Sequence, residues 1–458
     1  MFDKLNHFFG KQDNNLRYWD FNSESLNSET MIINNLNINL LNKSFVSGFS
    51  IRVLYKNAWG FSFSNNSDDL LIIAKKALEN AKSTSLYTKR KVEINFDEVW
   101  KDDAEFKMKK NPFDISLDEK KKVFLNINRQ TLNFNKKIKS SEIGYRFVSS
   151  EKEYCNSLGS EIKQKIPETY FGISLTAKDG DKVQSYPFRV ALTKGYEVLD
   201  NIYPRIDEAK KQVIKLLNAE TPKGGKYNVV CDGGMTAVFI HEALGHATEA
   251  DSVLQGGSCL KGKLGKKIAS EYVEVHDQGN IDNDYGGYIY DDEGVKAKDN
   301  ILIKKGVLVK YLTSRDTSKQ FNLHLSGNAR IDFPSFHPIV RMSNTYIKEG
   351  EYKVDELLKE MKEGIYLKGS YGGAVDTLMG NFQFSAVEGY KISKGEIKEP
   401  LKMVTLGGKV LETLHNIQGI SDKRDKDFPG HCGKRGQSVR TGGYNPHIWI
   451  KKAYVGGK

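Results

Sequence analysis

Residues 227–251 read Tyr-Asn-Val-Val-Cys-Asp-Gly-Gly-Met-Thr-Ala-Val-Phe-Ile-His-Glu-Ala-Leu-Gly-His-Ala-Thr-Glu-Ala-Asp, and the rest of the chain arranges itself around this stretch. Residues 227–231 read as a strand, Asp232-Gly-Gly234 as a turn, and the apolar run that follows as a buried helix. Inside that run stand His241, Glu242 and His246. Such groups are costly among apolar neighbours unless they are paired or ligate an ion. Neutral imidazole is the commonest ligand for zinc-type metals, and a Glu beside such a metal can take a proton from water. The stretch points to a metal-dependent hydrolase, in the first place a peptidase.

The spacing is unusual. The familiar zinc-peptidase helix carries its two His four residues apart, on one face. Here they are five apart, and in a regular α-helix that step turns the second ring roughly 140° from the first. Gly245, just before His246, suggests a π-bulge or a turn that ends the first helical segment; either would bring the rings together. In a regular helix one or both His would instead be packed core residues.

A candidate third ligand lies far along the chain, in Pro429-Gly-His-Cys-Gly-Lys-Arg-Gly-Gln437. A Gly-flanked thiolate at Cys432 can approach an ion closely, and Lys434 and Arg435 would favour its ionised form. The alternatives are a small residue in a Gly-rich turn, or His431 as the ligand at the same place.

Composition sets the bounds. The 458 residues, 39% hydrophobic and 28% charged, imply a globular chain of two or three domains. No apolar run approaches the length of a membrane helix, and the first residues lack the pattern of a signal peptide, so no membrane association and a cytoplasmic location are expected. Four Cys without close spacing suit a reducing compartment. The net charge of +11 is scattered Lys, with runs such as Lys120-Lys121-Lys122 reading as helix surface, so nucleic-acid binding is not expected.

The predicted fold class is α+β: a mixed α/β N-terminal domain, then a β-rich, barrel-like catalytic domain carrying the metal-binding helix. Residues 48–63 read as a hairpin and 68–81 as a helix; Ser116 with Glu119 forms a capping box ahead of a helix reaching Phe134. Strands alternate over 142–192, and 206–219 reads as another helix. Thr221-Pro-Lys-Gly-Gly225 is the clearest linker, which divides the chain into an N-terminal domain of 1–220 and a catalytic domain of 221–458. The second half is richer in strand and Gly, with a hairpin expected over 301–312 and further strands over 364–392.

Several segments together resemble one family. They are His241-Glu-Ala-Leu-Gly-His-Ala-Thr-Glu-Ala-Asp251, Tyr290-Asp-Asp-Glu-Gly294, Leu312-Thr-Ser-Arg315, Ser326-Gly-Asn-Ala-Arg330, Pro338-Ile-Val-Arg-Met-Ser-Asn-Thr345, Tyr371-Gly-Gly-Ala-Val-Asp376, Gly380-Asn-Phe-Gln-Phe-Ser385 and the segment ending at Gln437. Weaker similarity reaches back through Asn156-Ser-Leu-Gly159 to Trp59-Gly60 and Arg52. The chain resembles the TldD branch of the TldD/PmbA metallopeptidases. The resemblance implies one divalent metal ion of the zinc type, held by His241, His246 and Cys432, with Glu242 as general base. It also implies a dimer, either with a second copy or with a PmbA/TldE-type subunit that lacks the metal motif. Ser421-Asp-Lys-Arg-Asp-Lys-Asp427 is more charged than the family pattern.

On this reading an extended peptide adds to a sheet edge beside the metal. Gly286, Gly287, Gly372 and Gly373 are candidates to line its path, or are simply turns. Two rival readings remain at this level: a scaffold subunit whose metal is structural and closed by a fourth ligand such as His431, and an amidohydrolase acting on a non-peptide.

Overall fold

The computed structural model describes residues 1–89, 91–426 and 429–457. The first half is mixed α/β, as its sequence pattern predicts. A seven-stranded sheet runs in the order Ala58–Ser64, Asn37–Tyr55, Leu16–Asn34, Ile138–Asn156, Glu161–Asp179. The outer edge of this last strand pairs with Lys101–Glu105 near its start and with Lys182–Leu192 further on. Alternate residues of Ile138–Asn156, among them Ile143, Tyr145 and Phe147, turn inward. They meet Phe124 and Ile127 of the helix Leu117–Phe134, and Ile206 and Val213 of the helix Ile202–Leu217. The helix Leu70–Ser85 covers the sheet's other end. The capping box forms as expected, with the Glu119 N–H donating to Ser116 Oγ and the Ser116 N–H donating to Glu119.

Lys120 departs from the surface role expected for it. It is fully buried, ion-paired with Glu29, and donates to the Pro112 carbonyl at 2.6 Å. A run of three lysines on a helix samples most of its circumference, so one of them had to face the sheet.

The second half contains a second seven-stranded sheet, and here the expectation of a barrel-like domain is corrected. The order is Gly364–Asp376, Gly225–Cys231, Asn445–Gly457, Val404–Lys409, Asn381–Ser393, Glu396–Leu401, with Ile417–Lys426 attached to Asn445–Gly457. Gly364–Asp376 and Asn381–Ser393 also pair as a hairpin. The ladder branches, and Glu396–Leu401 and Ile417–Lys426 are left as open edges, so the sheet is not closed into a barrel. The remaining strands form a separate four-stranded sheet and two small ladders. Alternation predicts strands but not which edges meet. Ile417–Lys426 takes up most of the charged stretch that departs from the family pattern; Asp427 lies outside the described residues.

The two halves are joined by a buried polar seam around Tyr290-Asp-Asp-Glu-Gly294. Glu293 accepts from Arg52 at 3.1 Å and from the Arg315 N–H at 2.6 Å. Asp292 pairs with Lys152 at 2.9 Å. Arg315 in turn donates to the carbonyls of Asn95 and Asp97 at 2.9 and 2.7 Å. A second knot forms on the buried Asp277, which accepts from Asn328, Ser343 and Thr345. Several of the family-like segments are thus structural clamps.

Candidate metal centre

The Gly225–Cys231 strand ends at Asp232, whose carboxylate caps the following helix by accepting from the Met235 N–H at 2.9 Å. The α-helix Gly233–Val238 then widens into a π-helix over Phe239–Gly245. The His246 N–H donates to the carbonyl of His241, five residues back. A π-helix closes i→i+5 hydrogen bonds, so residues five apart stack on one face. This resolves the spacing: the two imidazoles stand edge to face with centroids 5.3 Å apart.

Gly245 acts differently from the hinge its position suggests. Its φ of −54° is ordinary right-handed helix. What it provides is space, because a Cβ there would lie 1.8 Å from Met342 Sδ in the core. Phe239, Ile240 and Leu244 fix the opposite side of the segment in the largest hydrophobic cluster.

Cys432 comes from the strand Gly430–Lys434, paired with Gln437–Thr441 through a tight turn at Arg435 and Gly436, both at positive φ. Its Sγ lies 3.2 Å from His246 Nε2. One ligand atom each from His241, His246 and Cys432 falls within 4.8 Å of the others. Two imidazole nitrogens and a thiolate suit a zinc-type ion and leave a fourth position open. Strand alternation sends His431 to the opposite side, where it meets the ring of Tyr285 at 5.7 Å. It is no part of the three-residue group.

The electrostatics favour a thiolate. Burial opposes ionisation of Cys432, but His241 and His246 beside it hold its pKa down to about 4. Lys434 and Arg435, expected to do this, are engaged elsewhere: Lys434 with Glu249 and Asp251, Arg435 with Gln255. Burial disfavours the charged form of His246, yet Glu249 and Cys432 raise its pKa well above the ordinary value. Glu249 is buried as well, and His246 and Lys434 hold its carboxyl down to about 2. The Arg341 guanidinium donates to the Cys432 carbonyl and so ties the ligand strand to the core.

Glu242 sits on the open side, with Oε2 3.9 Å from His246 Nε2 and 30% of its side chain exposed. The candidate substrate glycines are not among the three donors. Gly286 and Gly287 form a buried turn whose N–H groups donate to Asn344 Oδ1 and the Asp284 carbonyl, both at 2.9 Å. Gly372 and Gly373 follow a register shift in Gly364–Asp376; Gly372 has φ +96° and open space beside it. Glu249 was not singled out from the sequence, although a carboxylate one helical turn beyond a ligand His was a signal available there.

Comparison with known proteins agrees. The PmbA/TldA metallopeptidase C-terminal domain matches residues 224–457, the central domain 110–217 and domain 1 residues 20–81. The chain belongs to the PmbA/TldD metallopeptidase family. It is 38% identical to a metalloprotease of Methanocaldococcus jannaschii over 91% of this chain and 92% of that one. It is 32% identical to a zinc metalloprotease TldD homolog of Saccharolobus solfataricus, covering 90% of each. The solved TldE of Thermococcus kodakarensis shares the fold, with a TM-score of 0.77, 18% identity and full coverage of both chains. Similarity to TldD homologs places the chain in the TldD branch, and with the His241–His246–Cys432 cluster marks it as a zinc-type metallopeptidase. No helix among the described residues is long and apolar enough to cross a membrane.

Proposed function

We propose that this member of the family hydrolyses short or unfolded peptides at the His241–His246–Cys432 centre, with Glu242 as general base. The observation that carries this is the convergence of two imidazoles and a thiolate beside a carboxylate that is open to solvent. A zinc-type metal bound there supplies Lewis acidity toward the scissile carbonyl and a water of lowered pKa. Glu242 would take a proton from the attacking water on its carboxylate and would deliver it to the leaving amine. His241, His246 and Cys432 hold three positions and leave one for water or substrate.

The scaffold reading needs a fourth protein ligand, and its candidate, His431, lies on the other face of its strand. Selection by access is supported by burial: Cys432 is 4% exposed, and the helix behind the His is packed on all sides but one. An extended segment reaches such a site where a folded surface does not. The open space at Gly372 supports a peptide path along Gly364–Asp376. Gly373 is included in that path as the next residue of the strand, and Gly286 and Gly287 are kept as candidates whose contact with peptide is for mutagenesis to test. We place the domain boundary at 220/221, where the linker precedes Gly225–Cys231. The structural likeness to TldE supports pairing with a second copy or a PmbA/TldE-type subunit, and the reading is completed by a cytoplasmic location and peptide as substrate.

The experiment offers one sequence in two states, a small disulfide-bonded domain before and after reduction. Cleavage of the reduced form alone is expected. Equal rates on both forms would contradict selection by access.

A further inference from the structure

Glu249 is 1% exposed, and one of its oxygens lies 3.1 Å from His246 Nδ1. The same oxygen is 3.1 Å from Lys434 Nζ. Lys434 also pairs with Asp251 at 2.7 Å and donates to the Val340 carbonyl at 2.9 Å. Lys434 stands two residues after Cys432, and residues two apart on a strand share a face. Glu249 therefore touches both ligand-bearing elements: the helix through His246, and the Cys432 strand through Lys434.

The usual structural role for a residue at this place is absent. Glu249 precedes the short helix Ala250–Leu254, but its side chain makes no capping bond to it. Its other oxygen is buried with no hydrogen-bond partner among the described residues. A buried carboxylate kept at such cost is explained by what it does to its neighbours.

We propose that Glu249 and Lys434 are positioning residues of the metal centre, acting as a strut that fixes the ring of His246 and the strand of Cys432 to each other. Glu249 accepts the Nδ1–H of His246. That fixes the tautomer in which Nε2 carries the lone pair, and Nε2 is the nitrogen that faces Cys432 Sγ at 3.2 Å. Lys434 pairs with the Glu249 carboxylate at 3.1 Å and so sets a positive charge beside it in the buried site. The strut also holds together ligands that are 186 residues apart in the chain. This inference rests on the metal reading given above.

The test uses the full chain and four proteins: native, Glu249→Gln, Lys434→Met and Lys434→Arg. Zinc affinity is measured by competition with a chromophoric chelator, and the site geometry by the absorption spectrum of the Co²⁺-loaded protein. Glu249→Gln should weaken zinc by about 10- to 100-fold and alter the thiolate-to-cobalt band. Lys434→Met should shift both in the same direction, and Lys434→Arg should restore most of the loss. A merely structural role would lower thermal stability while leaving affinity and spectrum unchanged. Affinity within about twofold of native in folded Glu249→Gln would overturn the proposal. Should that variant fail to fold, unchanged affinity in Lys434→Met would overturn it instead. Absence of zinc binding in the native chain would refute the metal reading, whereas native-like binding in every variant would refute only the strut.

Discussion

Glu242 and Cys432 show how much one residue's surroundings decide. The Cys432 thiol is buried and pulled to about 4 by the two imidazoles, so it acts as a ligand. The Glu242 carboxylate stays partly in solvent, 3.9 Å from His246, on the side of the centre that is left open. Glu242→Gln keeps the shape and removes the base. It should retain the metal and lose about 10²- to 10⁴-fold in peptide hydrolysis, measured beside the metal content of the same preparation. Undiminished hydrolysis would assign the base elsewhere. At this scale the ligands were legible because His, Glu and Cys in such company have few other uses. The choice between His431 and Cys432 was not, because adjacent strand residues point opposite ways and the strand's orientation lies outside its own sequence. The pairing of Glu249 with Lys434 was hidden for another reason: the chain has 58 acidic and 69 basic residues, and type alone does not separate a buried strut from a solvated surface.

At the scale of the element, the π-helical segment Phe239–Gly245 is the device that makes five-residue spacing work. The spacing announced an irregularity, and Gly245 marked its place. The reason for a glycine there was out of reach, since the side chain it makes room for, Met342, lies about a hundred positions away in the sequence. Gly245→Ala puts a methyl group into the buried Met342 side chain. Overpacking of this kind costs about 1–3 kcal/mol, read as a lowered urea midpoint. Gly245→Ala combined with Met342→Ala should cost less than the sum of the two single substitutions. A Gly245→Ala protein as stable as native would contradict the account of that glycine. The barrel expectation failed at the same scale: strand periodicity reports which residues alternate, while closure depends on pairings between strands far apart in sequence. Here those pairings branch and leave two open edges.

Across the whole molecule, the polar seam between the halves explains several of the segments that carry the family resemblance. Asp292, Glu293, Arg52 and Arg315 join the two halves, and a buried ion pair of this kind is by itself weak evidence for added stability. Among the described residues, the group that could hold a metal is His241, His246 and Cys432. The most direct measurement is elemental analysis of the purified native chain beside His246→Ala. The native protein should carry about one zinc-type ion per chain, and the variant, with one of three ligands gone, should lose it while keeping its fold. Full metal content in folded His246→Ala would contradict the centre described here.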